Sequence, residues 1–325
     1  MNRPQNQPEP EYWAKLDQIA RFLREQNRFV VVSHVDPDGD AIGSSLGLSR
    51  ALRSLGKQVW WVAEPPRYLK FLAEPQEASP PVRELPEGAI LVVLDAAEPS
   101  RVAGAPVEGR IVNIDHHGTN PRFGELSVVD PSKAATAHIV KDLIDLMGVS
   151  WTQTIATPIL TGLLTDTGNF RFSNTTPETL ECAADLLKYG VPLAELTDRL
   201  QWRPPSYYAL LARVLSTVRF QFGGLLVSAH LTGGEEEDSD DFVGLIRYAE
   251  GSRVAVFLRE REGKVKVSIR SRGEVSAQAI ALRLGGGGHV PAAGATLEGV
   301  DLAEAYRRVE AAVEEELRAK GLWGD

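Results

Sequence analysis

The stretch HVDPDGD, residues 34–40, places one histidine and three aspartates, His34, Asp36, Asp38 and Asp40, within seven positions. Carboxylates crowded so closely repel one another unless something positive lies among them, and a divalent cation is the simplest partner. A calcium loop of the EF-hand kind is excluded. It needs Gly at its sixth position and Glu at its twelfth, whereas counting from Asp36 gives Ala41 and Gly47. Further candidates lie downstream: Asp95, the run Asp115-His116-His117, and Asp166. His34, Asp38, Asp40, Asp95, His116 and Asp166 offer oxygen and imidazole without thiolate, a donor set that suits Mn²⁺, Mg²⁺ or Fe²⁺ better than structural zinc. Four carboxylates and two imidazoles exceed the needs of one catalytic ion. They suit two ions sharing a bridging carboxylate, the arrangement that activates water and clamps phosphoryl oxygens. Taken singly each piece has a plainer reading: DPDG as a turn, DHH as a cap beside two surface histidines, TDTGNF as a capping turn. Their conjunction, each after the end of a strand or helix, carries the expectation.

The elements that must position these groups are legible around them. RFVVV, KQVWWVA, AILVVLD and GRIVNID are short β-branched, continuously apolar runs that predict buried strands. Helical spacing runs over 12–26, 40–55, 134–148 and 152–165. Strands alternating with helices predict a parallel α/β sheet with helices on both faces, whose ligands bind outside the carboxyl ends of the strands. His34, Asp95 and Asp115-His116-His117 stand at such ends. Pro37 and Gly39 would turn the aspartates inward and put Asp40 at a helix N-terminus. Gly43 and Gly47 would let that helix lie close to the sheet.

After Asn174 two helical segments, 177–188 and 193–215 with RPPS interrupting the second, read as leading into a connector. Hairpins around Gly223-Gly224 and Glu262-Gly263, a helix over 276–284, a glycine cluster and a terminal helix from Asp301 predict a smaller α+β domain. The expected divisions are a loose tail at 1–11, a catalytic domain at 12–190, a connector at 191–215 and a second domain at 216–325. The acidic run at 234–241 reads as a solvated loop.

Composition narrows the function. The chain has 325 residues and a formal charge of −9, which disfavours gripping long duplex nucleic acid but leaves room for a short nucleotide in a local pocket. No apolar run approaches the roughly 18 residues of a membrane span. One cysteine, Cys182, excludes an internal disulfide framework and reads as core. A cytoplasmic setting is expected, and a homodimer is left open.

The motifs SHVDPDGDAIGS, VVLDAAEPSR, NIDHHGTN, LLTDTGNFRFSNTT, VKVSIRSR and GGGGHVPAAGA, in that order, resemble those of the DHH–DHHA1 phosphoesterases of the nanoRNase and pAp-phosphatase type. The resemblance implies His34 and Asp38 on one metal, Asp40, His116 and Asp166 on the other, and Asp95 bridging, with Mn²⁺ the usual ion. It implies that His117 faces the substrate phosphate as a catalytic group and that Asp115 fixes a histidine ring. It further implies that Arg270, Ser271, Gly286, Gly287, Gly288 and His289 hold the nucleotide portion. Two departures stand out: Asp36 where asparagine is more frequent, and a loose EVSAQAIALRL before the glycines, which leaves fine substrate choice open.

The implied activity is release of mononucleotides from RNA of two to five residues and removal of the 3′-phosphate of pAp. Cleavage of pApA or cyclic di-AMP, or a catalytically silent nucleotide sensor, are the alternatives. The sensor would be expected to have lost a ligand, and none is missing. GGGGH is no P-loop, because no Lys-Ser/Thr pair follows; alone it reads as a flexible connection. It also argues against a family-II pyrophosphatase. His138 and His230 read as structural or exposed, and Arg101 as a phosphate contact or a local salt bridge.

Overall fold

The computed structural model describes residues 10–233 and 240–324, so the expected tail lies outside the described residues up to residue 9, and the acidic run up to residue 239. Pro10 and Glu11 open the first helix, where proline's missing N–H costs nothing; Asp240 and Asp241 open a later one. The chain divides into two compact units, 1–202 and 203–325. Among the described residues no helix is long and apolar enough to cross a membrane.

In chain order the first unit comprises α1 (Pro10–Glu25), β1 (Arg28–Val32), α2 (Gly39–Ser54), β2 (Gln58–Trp61), β3 (Ile90–Leu94), β4 (Ile111–Asp115), β5 (Leu126–Val129), α3 (Thr136–Leu146), α4 (Gln153–Asp166), α5 (Pro177–Leu187) and α6 (Leu193–Gln201). The sheet is wholly parallel in the order β2-β1-β3-β4-β5. The chain steps outward from β1 to β2 and returns to β3 on the other side. The direction of winding therefore reverses between β1 and β3, and a crevice opens at their carboxyl ends.

One detail differs from the sequence expectation. The buried residues of α1 to α6 share a single core with Phe29, Val31, Val92, Leu94 and Ile114, one face of the strands. The other face, with Val30, Val32, Leu91 and Val93, is covered by Val62, Val82, Leu85, Val102 and Phe123 from irregular segments. The connections at 62–89 and 96–110 carry eight prolines, Pro65, Pro66, Pro75, Pro80, Pro81, Pro86, Pro99 and Pro106. Proline removes a helix hydrogen bond and clashes with the preceding turn, so these segments cannot supply covering helices. Gly43 and Gly47 also face a partner other than the one expected. A Cβ on Gly43 would sit 2.3 Å from the Pro158 carbonyl of α4, and one on Gly47 2.4 Å from Ile159. The glycines bring α2 against α4, not against the sheet.

The second unit contains α7 (Pro205–Leu215), β6 (Arg219–Gln221), β7 (Leu226–Thr232), α8 (Asp240–Ile246), β8 (Val254–Arg261), β9 (Lys264–Ser271), α9 (Ala277–Arg283), β10 (Gly287–His289), β11 (Ala292–Glu298) and α10 (Leu302–Ala319). Its sheet runs β10-β11-β9-β8-β7-β6, antiparallel except for β7 beside β8. The β8–β9 hairpin turns at Glu262-Gly263, both with positive φ, the two-residue turn whose twist suits flanking strands. The helices α9 and α10 cover one face, α7 and α8 the other. The expected connector is split between the units. Leu196 and Leu200 of α6 enter the first core, whereas Tyr207 and Val214 of α7 enter the second unit.

Candidate metal centre

The six expected ligands come together at the switch point of the parallel sheet. Asp38 caps α2, its Oδ1 accepting the N–H groups of Asp40 and Ala41 at 3.0 Å each. His34 is held by its own backbone neighbours. Val35 N–H donates to the Arg101 carbonyl at 2.8 Å and Ala103 N–H to the Ser33 carbonyl at 3.0 Å. The segment after Asp95 thus closes over the end of β1, and it is the Arg101 backbone that makes this contact.

Asp95 follows β3 with φ +55° and is 2% exposed. Aspartate is among the few L-residues that enter the left-handed region readily. One of its oxygens, Oδ2, lies 3.6 Å from His34 Nε2. The other, Oδ1, lies 3.7 Å from His116 Nε2 and accepts the Thr136 hydroxyl at 3.0 Å. His116 Nε2 is also 3.2 Å from Asp166 Oδ2, and His34 Nε2 is 3.9 Å from Asp38 Oδ1. Among the described residues two groups, His34–Asp38–Asp95 and Asp40–His116–Asp166, each bring potential ligand atoms within 4.8 Å of one another, and a third, Asp95–His116–His117, shares Asp95 with the first and His116 with the second.

Asp40 is fully buried and serves a helix other than its own. Its Oδ2 accepts Thr136 N–H at 2.6 Å and its Oδ1 accepts Ala137 N–H at 2.8 Å. Those are orphan donors of α3, which begins after Ala135, a residue unable to cap. The approach is close because Gly162 of α4 has no side chain: a Cβ there would lie 2.7 Å from Asp40 Oδ1 and 2.6 Å from Ala137 Cβ.

The two candidate ligand histidines turn the same nitrogen to the cluster. His34 Nδ1 is 2.7 Å from the Val35 carbonyl and His116 Nδ1 is 3.4 Å from the Lys133 carbonyl. With Nδ1 of each ring turned to a backbone carbonyl, Nε2 is the nitrogen that faces the cluster. His117 is different. Its Nδ1 is 2.8 Å from Asp115 Oδ1 and 3.6 Å from Asp95 Oδ1, so the nitrogen nearest the cluster is already engaged. The half-exposed ring keeps Nε2 for another partner. Asp115 is itself braced: its Oδ1 also accepts the backbone N–H of His116 and of His117, and Asn120 donates to its Oδ2 at 2.7 Å.

Electrostatics states what the cluster lacks. Burial first, then the charges of Asp95, Asp166 and Asp38, hold the Asp40 carboxyl well above the usual range. Burial and the same crowding by Asp95 and Asp38 push Asp166 up to about 8. Burial works against a charged His34, yet hydrogen bonds to Asp38 and Asp95 outweigh it and raise that imidazole to about 10. The site draws protons because its negative charge is uncompensated, and its oxygen and imidazole donors fit hard or borderline divalent cations.

Comparison with known proteins identifies both parts of the chain. Residues 28–165 match the N-terminal domain of the DHH family, and residues 222–318 match the DHHA1 domain. A Thermus thermophilus protein named bifunctional oligoribonuclease and PAP phosphatase NrnA is 70% identical over 319 residues, covering 97% of this chain and 98% of its own length. The chain belongs to the DHH–DHHA1 phosphoesterase family. A Listeria monocytogenes cyclic-di-AMP phosphodiesterase, PdeA, is 26% identical over 91% of this chain, which spans 49% of that protein's length. Among solved structures, an exopolyphosphatase-related protein from Bacteroides fragilis superposes with a TM-score of 0.82 at 27% identity, covering 93% of this chain and 96% of its own.

Within the DHHA1 region the remaining expected residues lie on adjoining strands. Arg270 of β9 is opposite Ala292 of β11, which is opposite His289 of β10. The glycine cluster forms a strand where a flexible connection was an alternative. A Cβ on Gly286 would lie 2.1 Å from the Gly294 carbonyl, and one on Gly288 2.6 Å from the Ala293 Cα. Glycine is required there by close backbone pairing. Ser271 is committed structurally: its hydroxyl donates to the Val290 carbonyl at 2.8 Å and accepts Ala277 N–H at 3.0 Å. It can offer a ligand only an acceptor.

Sequence reasoning missed Thr136, Asn120, Gly162 and Asn174. Asn174 lies 3.1 Å from both the Ala134 and Asp166 carbonyls and so ties the start of α3 to the end of α4. Asn120 and Asn174 stand inside the recognised motifs, which was the available signal. Thr136 carried none. Of the other histidines, His138 is buried in α3 and His230 Nδ1 lies 3.0 Å from the Tyr306 hydroxyl. Cys182 is buried in the first core.

Proposed function

We propose that this chain is a phosphohydrolase of small nucleotides dependent on two divalent cations, Mn²⁺ by preference, with Mg²⁺ and Fe²⁺ as lesser fits. It releases mononucleotides from RNA of two to five residues and converts pAp to AMP. The observation that carries the reading is Asp95, whose two carboxylate oxygens face two separate sets of donors. His34 and Asp38 would hold one cation, Asp40, His116 and Asp166 the other, and Asp95 both. When bound, such a pair lowers the pKa of water and neutralises charge on phosphoryl oxygens.

The chain's own groups do the rest. The hydrogen bonds through Val35 and Lys133 orient the two ligand imidazoles, and Thr136 fixes Asp95. Asp115 holds His117 by Nδ1, leaving Nε2 to meet the phosphate and protonate the departing oxygen as the P–O bond breaks. The domain over 216–325 would hold the nucleotide through Arg270 and the backbone of Gly286 to His289. The activity named for the 70% identical Thermus protein supports the RNA and pAp assignment.

The test is purified protein with Mn²⁺ and a panel of RNA from dimers to 24-mers, pAp, pApA, cyclic di-AMP and pyrophosphate. Rapid mononucleotide release from dimers to pentamers is expected. Preference for pApA or cyclic di-AMP would transfer the protein to dinucleotide turnover, and binding without hydrolysis would make it a sensor.

A further inference from the structure

Lysine is almost never fully buried, because its ammonium loses hydration that few interiors replace. Lys133, in the turn between β5 and α3, is nonetheless 2% exposed. Its Nζ donates to Asp142 Oδ2 of α3 at 3.0 Å and to Glu178 Oε1 of α5 at 2.6 Å. It also lies 4.9 Å from the ring centroid of Tyr12 and 5.9 Å from that of Trp13, both on α1. The Tyr12 hydroxyl donates to the same Asp142 oxygen at 2.8 Å. One ammonium thus ties the turn to three helices. A buried ion pair seldom adds net stability, since desolvation offsets its attraction and apolar residues of similar volume often serve as well. What such a pair can supply is a single allowed arrangement.

That arrangement matters because of what the same turn touches besides. The Lys133 carbonyl faces His116 Nδ1 at 3.4 Å, and the Thr136 hydroxyl donates to Asp95 Oδ1 at 3.0 Å. The N–H groups of Thr136 and Ala137 donate to Asp40 at 2.6 and 2.8 Å. Asn174 joins the Ala134 and Asp166 carbonyls. Residues 133–137 therefore bear on Asp40, Asp95, His116 and, through Asn174, Asp166. His34 and Asp38 are held otherwise, by the Val35 carbonyl and by the first N–H groups of α2. At 3.4 Å the His116 contact is near the outer limit of a hydrogen bond, so moving the turn by a few tenths of an ångström would break it.

We infer that Lys133 is a positioning residue of the candidate metal centre. Its ammonium, where α1, α3 and α5 meet, sets the turn, and the turn sets the Asp40–His116–Asp166 half of the site. The inference rests on the proposed two-cation function and deepens it by naming the half that depends on this lysine. The ammonium acts on that half only through the turn.

The test is calorimetric titration of Mn²⁺ into the full chain after chelator treatment, beside urea unfolding of the same metal-free samples. The wild type is expected to take two ions. In Lys133→Met, which keeps most of the side chain's volume, affinity for one ion should fall about 10- to 100-fold, as when an outer partner of a ligand is lost. Affinity for the other should change less than about threefold, because its ligands have partners outside the turn. Removing the lysine alone leaves Asp142 and Glu178 without their cation, which threatens folding. The triple variant Lys133→Met, Asp142→Asn, Glu178→Gln is therefore titrated as well. It removes the charges together and should show the same selective loss. Leu69→Ala, a truncation in the first core far from the turn in sequence, should lower the urea midpoint and leave both Mn²⁺ affinities unchanged. A merely structural lysine would make its variants behave like Leu69→Ala. That result, or equal losses for both ions, would overturn the inference. Failure of both lysine variants to fold would assign the residue to stability and overturn it too. Hydrolysis of RNA dinucleotide and pAp by the wild type is scored separately. Its absence would refute the proposed function, while the titrations still decide Lys133. A wild type that takes only one ion would refute the two-cation reading; a fall in that ion's affinity in the lysine variants would still uphold the lysine's role, and no fall would refute it.

Discussion

The two units handle charge in opposite ways. In the first, carboxylates are buried at the carboxyl ends of parallel strands and crowd one another until Asp40 and Asp166 are pushed towards protonation. In the second, arginines gather at the surface around an exposed tyrosine. The first arrangement is costly without cations and is held by helix ends and backbone carbonyls. The second tolerates more adjustment, because Arg253 and Arg272 are exposed and keep much of their hydration. On the proposed function, chemistry would belong to the first unit and grip to the second. Substitutions in the two should fail differently: kcat and metal content in one, KM and salt dependence in the other.

The largest effect is expected at Asp95. Asp95→Ala removes the one carboxylate facing both donor sets, and the several kcal/mol that a cation pair supplies corresponds to a loss of about 10³-fold or more in kcat. Circular dichroism should show the fold retained, and Mn²⁺ per chain should fall. Retained turnover would remove the bridging role. Thr136→Val keeps the side chain's shape but loses the hydroxyl that donates to Asp95. Mn²⁺ affinity measured by calorimetry should drop about 10- to 100-fold, with recovery in Thr136→Ser. In the second unit Arg270→Gln should raise KM about tenfold while kcat changes little, since one charge-assisted hydrogen bond is at stake. A fall in kcat with constant KM would move Arg270 into the chemistry.

The smallest effect concerns stability. His138 is buried in α3, and burial, reinforced by Lys133 and Lys141, holds its imidazole down to about 3. The unfolded chain binds that proton near 6.5, the folded chain only near 3, so stability should decline as pH falls from about 6.5 towards 3. Urea midpoints should decrease across that window, less steeply in His138→Leu. Equal slopes in the two proteins would show that His138 does not contribute.

Much of the candidate metal centre was legible because its residues arrive in compact motifs just after strands or at helix ends, and a parallel sheet brings its strand ends together in one place. His34, Asp38, Asp40, Asp95, His116 and Asp166 needed no knowledge of helix packing to be grouped. What escaped depends on contacts between residues far apart in the chain. Asp40 caps α3 across 96 residues of chain, and nothing around either residue announces it. Gly43 and Gly47 signalled a close approach but could not say that α4 was the partner. The bare helical layer on one sheet face follows from the prolines between β2 and β4, a negative signal that strand–helix alternation overrode. Gly285 to Gly288 concealed a strand because glycine has low strand propensity, and only pairing with Gly294 and Ala293 makes it necessary.

The most direct test of the account is anomalous diffraction from crystals grown with Mn²⁺. Two peaks about 3.5–4 Å apart, with Asp95 contributing an oxygen to each, are the predicted result. A single peak, or two peaks of which Asp95 touches only one, would contradict the two-cation site.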